Sequence, residues 1–268
     1  MRIIVSLISH NQKNMIISLG ALKLLASDMD IVVICRDNIA DSELEKYCFD
    51  NNIYYVCNDK PYGFAKNNNL NYEYYKSLIS PKENDWFLLL NPDVKLLNDT
   101  ITSLKKSVIK YANKIITANL FLDDNLENQD DNLRKYPKFI NFIRTYLKQD
   151  RSTMIDRSHG IPEYLDVWAS GAFLLIRSEH YAMLGGLDEK YYMYCEDIDF
   201  CLRAKKIGVK TILDTDVKAV HYRQRASKKI FSNHFFWHVS SVLKYCFCSK
   251  GVMSKKTCVA KVLHDSER

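Results

Sequence analysis

Short apolar runs alternate with stretches of helical spacing along the first half of the chain, and this alternation constrains the fold more than any other feature. The runs rich in β-forming residues are Ile3–Ile8, Ile31–Cys35, Ile53–Cys57, Trp86–Leu90 and Ile115–Leu120. The stretches with helical spacing are Met15–Leu25, Asp41–Phe49, Asn67–Leu78 and Thr100–Tyr111. Strands that are apolar throughout are typical of a parallel sheet with both faces covered. The pattern therefore predicts an α/β fold with a mostly parallel sheet flanked by helices.

The second half of the chain gives less regular signals. The acidic stretch Asp123–Asn132 predicts a loop or a mobile flap. The other predicted elements are a helix over Pro137–Lys148, a buried strand segment over Tyr164–Ile176, a helix over Glu196–Ile207, and final strands over Val209–Leu213 and Val217–His221. We expect a single domain over residues 1–222 and a C-terminal appendage over residues 223–268.

The composition is that of an ordinary globular protein and excludes several classes. Of 268 residues, 47% are hydrophobic and 26% are charged, which rules out a disordered chain, a collagen-like fibre and a coiled coil. The longest apolar stretch, Trp168–Ile176, is far shorter than the ~18 residues that a membrane-spanning helix needs. No small-residue cleavage site follows the apolar residues 2–8, which argues against a secretory signal. The eight cysteines lack zinc-ligand spacing, so we expect reduced thiols in the cytoplasm.

Positive charge is concentrated towards the C-terminal end. The net charge is +6, and residues 221–268 hold 10 Lys and Arg against 2 Asp and Glu. From Lys228 onward the tail mixes basic and aromatic residues and is predicted to be helical, a pattern typical of helices at an anionic membrane surface. A helix that packs its aromatic face on the domain shows the same pattern, so both interpretations stay open. No nucleic-acid-binding motif is present, so a nucleic-acid partner is not expected.

The turn after the apolar run Trp86–Leu90 carries the first candidate site. Ligands of parallel α/β sheets bind at the carboxyl ends of strands, and Asn91-Pro92-Asp93 stands at such an end. A carboxylate in this place, with a polar side chain two residues earlier, can hold Mg²⁺ or Mn²⁺ against a diphosphate, because these cations favour oxygen ligands. Asn-Pro-Asp is also ordinary turn chemistry, which explains the same residues without a ligand.

Three carboxylates at the start of a predicted helix form the second candidate site. Glu196, Asp197 and Asp199 lie beside apolar and aromatic neighbours. A partly buried carboxylate near other carboxylates gains proton affinity, which suits a general base. Acidic residues in a first helical turn are also favoured by the helix dipole, and Asp199 and Arg203 are spaced for a surface ion pair. The residues alone leave both explanations open.

Two weaker signals complete the set. His221 ends a short predicted strand, and a lone histidine is more often structural than a metal ligand. Gly63 leads into a predicted helix N-terminus, which is a natural anion site, although ordinary helix capping explains the glycine equally well.

The order and spacing of these segments resemble a family 2 glycosyltransferase with the GT-A fold, from about Ile3 to His221. The matching segments are Val5-Ser6-Leu7-Ile8-Ser9-His10-Asn11, Gly63-Phe64-Ala65 with Asn69, Leu90-Asn91-Pro92-Asp93, Trp168-Ala169-Ser170-Gly171-Ala172-Phe173, Gly185-Gly186-Leu187-Asp188-Glu189 and Tyr192–Arg203. Within the family the chain looks most like bacterial rhamnosyltransferases of O-antigen and cell-wall assembly. That likeness is carried by Arg36-Asp37-Asn38, Tyr62-Gly63-Phe64, the Asn67–Asn69 run, Arg134-Lys135-Tyr136-Pro137 and Phe235-Phe236-Trp237-His238.

The resemblance implies a nucleotide-sugar donor bound across the strand ends. The donor-binding residues that it implies are Ser9, Asp37, Asn38, Gly63, Asn69 and Asn91. The implied ligands of Mg²⁺ or Mn²⁺ are Asp93 and His221. The implied general base is Asp197, with Glu196, Asp199, Trp168 and Gly171 as acceptor-side and supporting residues. The chain departs from the family pattern at Asn91, where an Asp often stands, and at Cys35-Arg36-Asp37-Asn38, where many members carry Asn-Asn-x-Ser.

The implied function is an inverting transfer of L-rhamnose from dTDP-L-rhamnose to a lipid-linked acceptor of the GlcNAc-diphospho-polyprenol type, in O-antigen or other surface polysaccharide biosynthesis. Such an enzyme would lie in the cytoplasm, peripheral on the inner face of the cell membrane. One alternative is a family 2 transferase that uses another nucleotide sugar, such as a UDP-hexose. Another is a non-catalytic carbohydrate-binding assembly subunit, against which the joint presence of Asp93, Asp197 and His221 argues.

Overall fold

A central eight-stranded sheet organises the domain. The computed structural model describes residues 1–148, 151–157, 161–162, 164–223, 233–248 and 254–259. The strands are β1 Ile3–Ser9, β2 Ile31–Asp37, β3 Tyr54–Cys57, β4 Trp86–Leu90, β5 Val94–Leu96, β6 Ile115–Phe121, β7 Leu133–Lys135, β8 Val167–Ala169, β9 Phe173–Arg177 and β10 Thr211–His221. The main sheet has the order β3-β2-β1-β4-β9-β6-β10-β5, and β7 and β8 form a separate two-stranded sheet.

Helices lie between the strands and cover the sheet. They are α1 Lys13–Leu19, α2 Ala21–Ala26, α3 Ser42–Asp50, α4 Phe64–Leu78, α5 Thr100–Lys110, α6 Phe139–Lys148, α7 Ser178–Met183, α8 Glu196–Lys206 and α9 Asn233–Cys248. Alternate residues of each central strand enter opposite cores, because side chains along a strand point to opposite faces. On β1, for example, Ile3, Val5 and Leu7 pack on one side of the sheet and Ile4 packs on the other. The predicted α/β fold with a mostly parallel, helix-covered sheet is confirmed.

The strand directions bring distant residues to one edge of the sheet. β1 is parallel to β2 and β4, and β6 is parallel to β10, while β9 runs antiparallel between β4 and β6. The carboxyl ends of β1, β2, β4, β6 and β10 therefore share an edge with the amino end of β9. Ser9, Asp37, Asp93 and His221 all lie at or just after these carboxyl ends. We call this edge the ligand edge.

The structure departs from the predicted elements at three places. The predicted helix Met15–Leu25 is two helices, because Gly20 adopts a left-handed conformation with φ of 64° between them. The predicted strand segment Tyr164–Ile176 divides into β8 and β9, which belong to different sheets. The two predicted final strands are a single strand, β10, with an irregularity between Asp214 and Lys218 that breaks the period-two pattern in the sequence.

The C-terminal region packs on the domain where the structure describes it. In α9, Val242 and Tyr245 are buried in the core, and Ser241 Oγ donates a hydrogen bond to the carbonyl of Met193. Residues 254–259 lie beside the segment 184–189, where Cys258 N donates to Glu189. The expected helical tail is thus observed for Asn233–Cys248, while the predicted basic stretch Arg225 to Phe231 lies outside the described residues. Within the described ranges, none of the helices has both the length and the apolarity needed to cross a bilayer.

Candidate active site

Asp93 and His221 are brought together by the pairing of β5 with β10. β5 folds back after the Asn91-Pro92-Asp93 turn and runs antiparallel to β10, with Val94 opposite His221. The backbone N–H of Tyr222 donates to the Asp93 carbonyl at 3.0 Å, which fixes the register next to both side chains. As a result, Asp93 Oδ1 lies 3.2 Å from His221 Nε2, and both residues are largely buried. The backbone N–H of Asn91 attaches the same turn to the residue before β9 by donating to the Ala172 carbonyl at 3.0 Å.

A second carboxylate, Asp130, holds the other side of the imidazole. Asp130 is 2% exposed, and its Oδ2 contacts His221 Nδ1 while its Oδ1 pairs with Arg223. Arg157 donates hydrogen bonds to the Asp130 carbonyl and, at 3.0 Å, to Asn132 Oδ1, and so fixes the backbone around Asp130. The predicted loop over Asp123–Asn132 is confirmed, and its C-terminal end is buried and hydrogen-bonded. Neither Asp130 nor Arg157 was predicted from the sequence.

Charge pairing dominates the electrostatics of this cluster. Burial by itself would raise the pKa of Asp130, but the hydrogen bond from His221 and the charge of Arg223 outweigh it and lower that pKa. Burial would likewise lower the pKa of His221, yet its hydrogen bonds to Asp130 and Asp93 raise that pKa to about 9. Without a cation, the imidazole is therefore held between two carboxylates as their counter-charge.

The donor set suits a divalent cation. Adjacent ligands of an octahedral ion with bonds of ~2.1 Å lie ~3 Å apart, close to the 3.2 Å between Asp93 Oδ1 and His221 Nε2. A carboxylate behind the imidazole, here Asp130, orients the ligating nitrogen in many metal sites. In the part of the chain that the structure describes, no group of three or more Asp, Glu, His or Cys side chains encloses a metal position. A cation held by Asp93 and His221 would thus complete its coordination with water and phosphate oxygens.

The ends of β1 and β2 form the neighbouring part of the ligand edge. Ser9 pairs with Asp37 in register, and its buried hydroxyl has no hydrogen-bond partner among the described residues. Asp37 accepts a hydrogen bond from the Tyr55 hydroxyl at 3.1 Å. An unpartnered hydroxyl beside an oriented carboxylate matches the polar contacts that a nucleoside requires.

Asn38 belongs to a buried network that shapes the following loop. Its side chain accepts from the Tyr62 N–H at 2.9 Å and donates to the Tyr62 carbonyl at 3.0 Å. Asn58 and Asn67 also donate to Asn38 Oδ1, at 2.8 and 3.1 Å. The buried Arg36 donates to Asn58 Oδ1 at 2.8 Å, and its burial lowers its pKa. Asn38 therefore acts on the ligand edge by positioning the segment that carries Gly63.

Gly63 is required by a backbone contact. A Cβ on Gly63 would lie 2.1 Å from the carbonyl oxygen of Tyr192, and the N–H of Phe64 donates to that same oxygen at 2.9 Å. The close approach joins the start of α4 to the segment that leads into α8. The glycine predicted to line the nucleotide pocket thus also couples the donor side of the domain to the acidic helix.

We expect Gly63→Ala to destabilise the fold. The added methyl group meets backbone rather than a flexible side chain, so the cost should be at least the ~1–3 kcal/mol typical of overpacking. At ~2–4 °C per kcal/mol for a chain of this size, thermal unfolding should show a clear drop in Tm. Gly20→Ala is the control, because its Cβ meets nothing within 4 Å and only the left-handed φ opposes it. A larger loss in the Gly20 variant than in the Gly63 variant would contradict this reading of the contact.

Asn69, predicted to bind the donor, is occupied by the protein itself. Its side chain has no exposed surface, and its Nδ2 donates to the Leu187 carbonyl at 2.8 Å and to Glu189 Oε1 at 3.0 Å. Its Oδ1 accepts from the Tyr181 hydroxyl at 2.7 Å and from the Leu187 N–H at 2.9 Å. A fully satisfied, enclosed amide offers a ligand no contact. We therefore reassign Asn69 to anchoring the segment 181–189 on α4.

Asp197 lies in the first turn of α8, after a strained backbone segment. Tyr194 and Cys195 both have positive φ, 73° and 65°, which is uncommon for residues with a side chain. Asp197 Oδ2 accepts from the Gly171 N–H at 3.2 Å, and Oδ1 accepts from the Ile198 N–H at 2.8 Å. Gly171 stands just before β9, so this hydrogen bond attaches the carboxylate to the ligand edge. Burial raises the pKa of Asp197 despite these hydrogen bonds.

Asp197 faces a small pocket of ≈ 200 Å³ beside the ligand edge. Arg134 and Trp168 pair in register between β7 and β8 and line it, with His238 of α9 on another side. Trp168 Nε1 donates to the Lys135 carbonyl at 3.1 Å, which fixes the indole. A Cβ on Gly171 would lie 2.9 Å from the Phe64 ring, so the glycine permits close packing beside the carboxylate. We call this cavity the base pocket.

The two neighbouring carboxylates have different environments. Glu196 is buried, and burial together with the charge of Asp197 raises its pKa well above the usual range. Asp199 accepts from Arg203 Nε at 2.7 Å, and Arg203 also donates to the carbonyls of Leu184 and Gly186. Asp199 therefore supports the helix and the preceding turn. Glu196 and Asp197 both line the base pocket, and Asp197 is the member of the trio that is partly exposed.

Comparison with known proteins identifies relatives of this chain, although no family model matches it. Rhamnosyltransferase WbbL of Escherichia coli K12 is 30% identical over 250 residues, which cover 93% of this chain and 94% of that protein. An N-acetylglucosaminyl-diphospho-decaprenol L-rhamnosyltransferase of Mycobacterium tuberculosis is 25% identical over 175 residues, 60% of this chain and 54% of that protein.

Solved structures share the architecture at low sequence identity. Staphylococcus aureus TarS 1–349 in complex with UDP-GlcNAc matches 93% of this chain and 66% of its own with a TM-score of 0.60 and 14% identity. The mannosyltransferase PcManGT of Pyrobaculum calidifontis, in complex with GDP-Man and Mn²⁺, matches 96% of this chain and 65% of its own with a TM-score of 0.57 and 14% identity. Since the match to the Escherichia coli enzyme spans nearly all of both proteins, this chain belongs to the bacterial rhamnosyltransferases of glycosyltransferase family 2, with the GT-A fold.

Proposed function

We propose that this enzyme transfers L-rhamnose from dTDP-L-rhamnose to a lipid-linked saccharide of the GlcNAc-diphospho-polyprenol type, with inversion at the anomeric carbon. The observation that carries the proposal is that Asp93 and His221, 3.2 Å apart, and the carboxylate Asp197, which lines the base pocket, lie along one edge of the sheet. Two relatives are named as rhamnosyltransferases, which supports rhamnose as the transferred sugar, and the name of the mycobacterial relative supports an acceptor of the GlcNAc-diphospho-polyprenol type. The basic C-terminal region supports work at the cytoplasmic face of the membrane, in O-antigen or other surface polysaccharide assembly.

The residues on the donor side bind the nucleotide and stabilise the leaving diphosphate. Asp93 and His221 would hold Mg²⁺ or Mn²⁺, and Asp130 keeps the imidazole oriented for that role. Such a cation, when bound, supplies Lewis-acid stabilisation of the charge that develops on the departing diphosphate. Ser9 and Asp37 offer a hydroxyl and a carboxylate to the nucleoside, and the Asn38 network fixes the loop that borders it.

The acceptor side activates the nucleophile. Asp197 accepts two backbone hydrogen bonds, which fix its orientation, and faces the base pocket. A sugar hydroxyl in that pocket would lose its proton to Asp197 as it attacks the anomeric carbon. One base and one displacement invert the configuration, and a positioned base contributes ~10²–10⁴-fold.

The acid limb of the pH–rate profile should lie above the range of an exposed aspartate. Asp197 must be ionised to accept a proton, and burial raises its pKa above the ordinary value of ~3.9, so kcat should fall as the pH drops through that raised value. The measurement is kcat against pH at saturating donor, acceptor and metal. If the residual activity of Asp197→Asn showed the same fall in kcat at low pH, the acid limb would have to be assigned to the titration of another group.

A donor screen tests the proposed function. The purified chain is supplied with Mg²⁺ or Mn²⁺, a GlcNAc-diphospho-lipid and either dTDP-L-rhamnose or a UDP-hexose, and the glycosylated lipid is measured. Transfer from dTDP-L-rhamnose is expected. Transfer from the UDP-hexose alone would overturn the donor assignment. The absence of transfer from any nucleotide sugar to any lipid acceptor would favour a non-catalytic assembly subunit.

A further inference from the structure

Helices α6 and α9 pack against each other beside the base pocket. Phe142 of α6 contacts His238 and Tyr245 of α9, with ring centroids 6.4 and 6.1 Å apart. Tyr245 is buried, and His238 lines the base pocket. The contact between the helices is therefore apolar on its inner side and continuous with the acceptor side of the site.

The outer sides of the same two helices are apolar as well. The exposed side chains are Phe139, Ile140 and Ile143 of α6 and Phe236, Leu243 and Phe247 of α9, all between 39% and 57% exposed. Scattered apolar residues on a surface need no explanation, but six large ones on two adjoining helices form a patch of the kind that marks a binding site.

A groove runs through this patch. It has a volume of ≈ 540 Å³ and is lined by Pro137, Lys138, Phe139, Leu243, Cys246 and Phe247. Pro137 also lines the base pocket, so the two cavities adjoin at this residue. We call this feature the α6–α9 groove.

The two adjoining cavities differ in chemistry. Asp197 and Arg134 line the base pocket, Pro137 lines both cavities, and Lys138 lines the groove together with apolar side chains. A molecule that presents a sugar hydroxyl, a diphosphate and a hydrocarbon chain would find a base, two cations and an apolar channel in these two cavities. Membrane contact alone would not require the apolar surface to continue from the base pocket.

We propose that the α6–α9 groove binds the first isoprene units of the acceptor's polyprenyl chain, an inference that rests on the proposed lipid-diphosphate acceptor. In this arrangement Arg134 and Lys138 face the diphosphate, and Phe139, Leu243 and Phe247 contact the chain. The groove thereby selects acceptors by the lipid next to the sugar.

Chain-length dependence in detergent solution tests the proposal. The acceptors share a GlcNAc-diphosphate head and carry a butyl, farnesyl or undecaprenyl chain. In the parent enzyme kcat/KM should rise from butyl to farnesyl by ~10-fold or more, the equivalent of burying about two methylene groups. Phe139→Glu and Leu243→Glu should each lower kcat/KM for the farnesyl acceptor by a similar factor and leave the butyl acceptor little changed.

Ile109→Glu is the matched control, because Ile109 is 75% exposed on α5 and belongs to neither cavity. It should leave all three acceptors unchanged. The groove variants replace exposed side chains on two separate helices, and their thermal unfolding is compared with that of the control. If both groove variants were unstable, Phe139→Ser and Leu243→Ser would replace them.

Photolabelling gives a readout that does not require turnover. A farnesyl diphosphate that carries a benzophenone on its chain should label peptides containing residues 137–139 or 243–247. A butyl diphosphate that carries the same benzophenone should not label them. Labelling confined to other surfaces, or kcat/KM independent of chain length, would overturn the groove assignment. If none of the acceptors were glycosylated but the probe labelled residues 137–139 or 243–247, the result would count against the proposed function and support the groove as a binding site for the lipid chain.

Discussion

Asp197→Asn should lower turnover by ~10²-fold or more while donor affinity stays nearly unchanged. Asparagine keeps the size of the side chain and one of its two backbone hydrogen bonds but cannot take a proton at neutral pH, so the loss should fall mainly on the chemical step. The amide oxygen can accept from the N–H of either Gly171 or Ile198, which keeps one of the two contacts that orient the side chain. Steady-state kinetics with nucleotide-binding calorimetry separates the two effects.

Glu196→Gln is the matched control for this variant. Burial and the charge of Asp197 raise the pKa of Glu196 well above its usual range, so the ionised form of this side chain is disfavoured. A neutral glutamine of the same shape should therefore cost far less turnover than Asp197→Asn. Near-normal turnover in Asp197→Asn with a collapse in Glu196→Gln or Asp199→Asn would transfer the base assignment to that neighbour.

Asp93→Ala should remove metal-dependent turnover, with a loss of ~10²-fold or more, and leave the fold intact. The variant removes a carboxylate ligand and leaves His221 alone, so stabilisation worth several kcal/mol at the leaving diphosphate is lost. The turn itself is held by backbone hydrogen bonds of Asn91 and Asp93, which the substitution keeps. The measurement is turnover against Mn²⁺ concentration, together with Mn²⁺ binding in the presence of dTDP.

Asp124→Ala provides the comparison for Asp93→Ala. Asp124 is an exposed carboxylate that pairs with Lys95 at 2.7 Å, so its removal tests the loss of a negative charge from the same region. Metal affinity and turnover should change little in this variant. Full activity of the parent enzyme in EDTA would exclude a role for Asp93 as a metal ligand.

The parts of the fold that the sequence predicted are those with a strong local period. The predicted strand Trp86–Leu90 agrees with the structure residue for residue, because five consecutive buried apolar residues leave no competing interpretation. β5 and α7 were missed, since a strand of three residues and a helix of six carry too little pattern. The break at Gly20 and the division at residues 170–172 depend on backbone conformation and on sheet pairing, which periodicity does not report.

The site shows the same division between local and distant information. Asp93 and His221 were identified from their places at strand ends, and the pairing of β5 with β10 brings them into contact. Asp130 was missed because its burial depends on His221 and Arg223, which are distant in sequence. Asn69 was misassigned because an asparagine beside a glycine loop has the same local sequence whether it faces a ligand or the core. An acidic residue near the end of a predicted loop, with a histidine at a later strand end, is the signal that could have suggested Asp130.

The pairing of β5 with β10 also has a consequence for the order in which the molecule matures. β5 is made early, but β10, its only strand neighbour among the described residues, follows after most of the domain, and contacts of such large sequence separation form slowly. Until β10 docks, Asp93 has neither His221 beside it nor the backbone hydrogen bond from Tyr222. The end of β1 and β2, to which we assign the nucleoside, is therefore made well before the proposed cation site is complete. If Asp93 and His221 hold the cation as proposed, cation binding would report completion of the fold, and a truncated chain that lacks β10 would not bind it there.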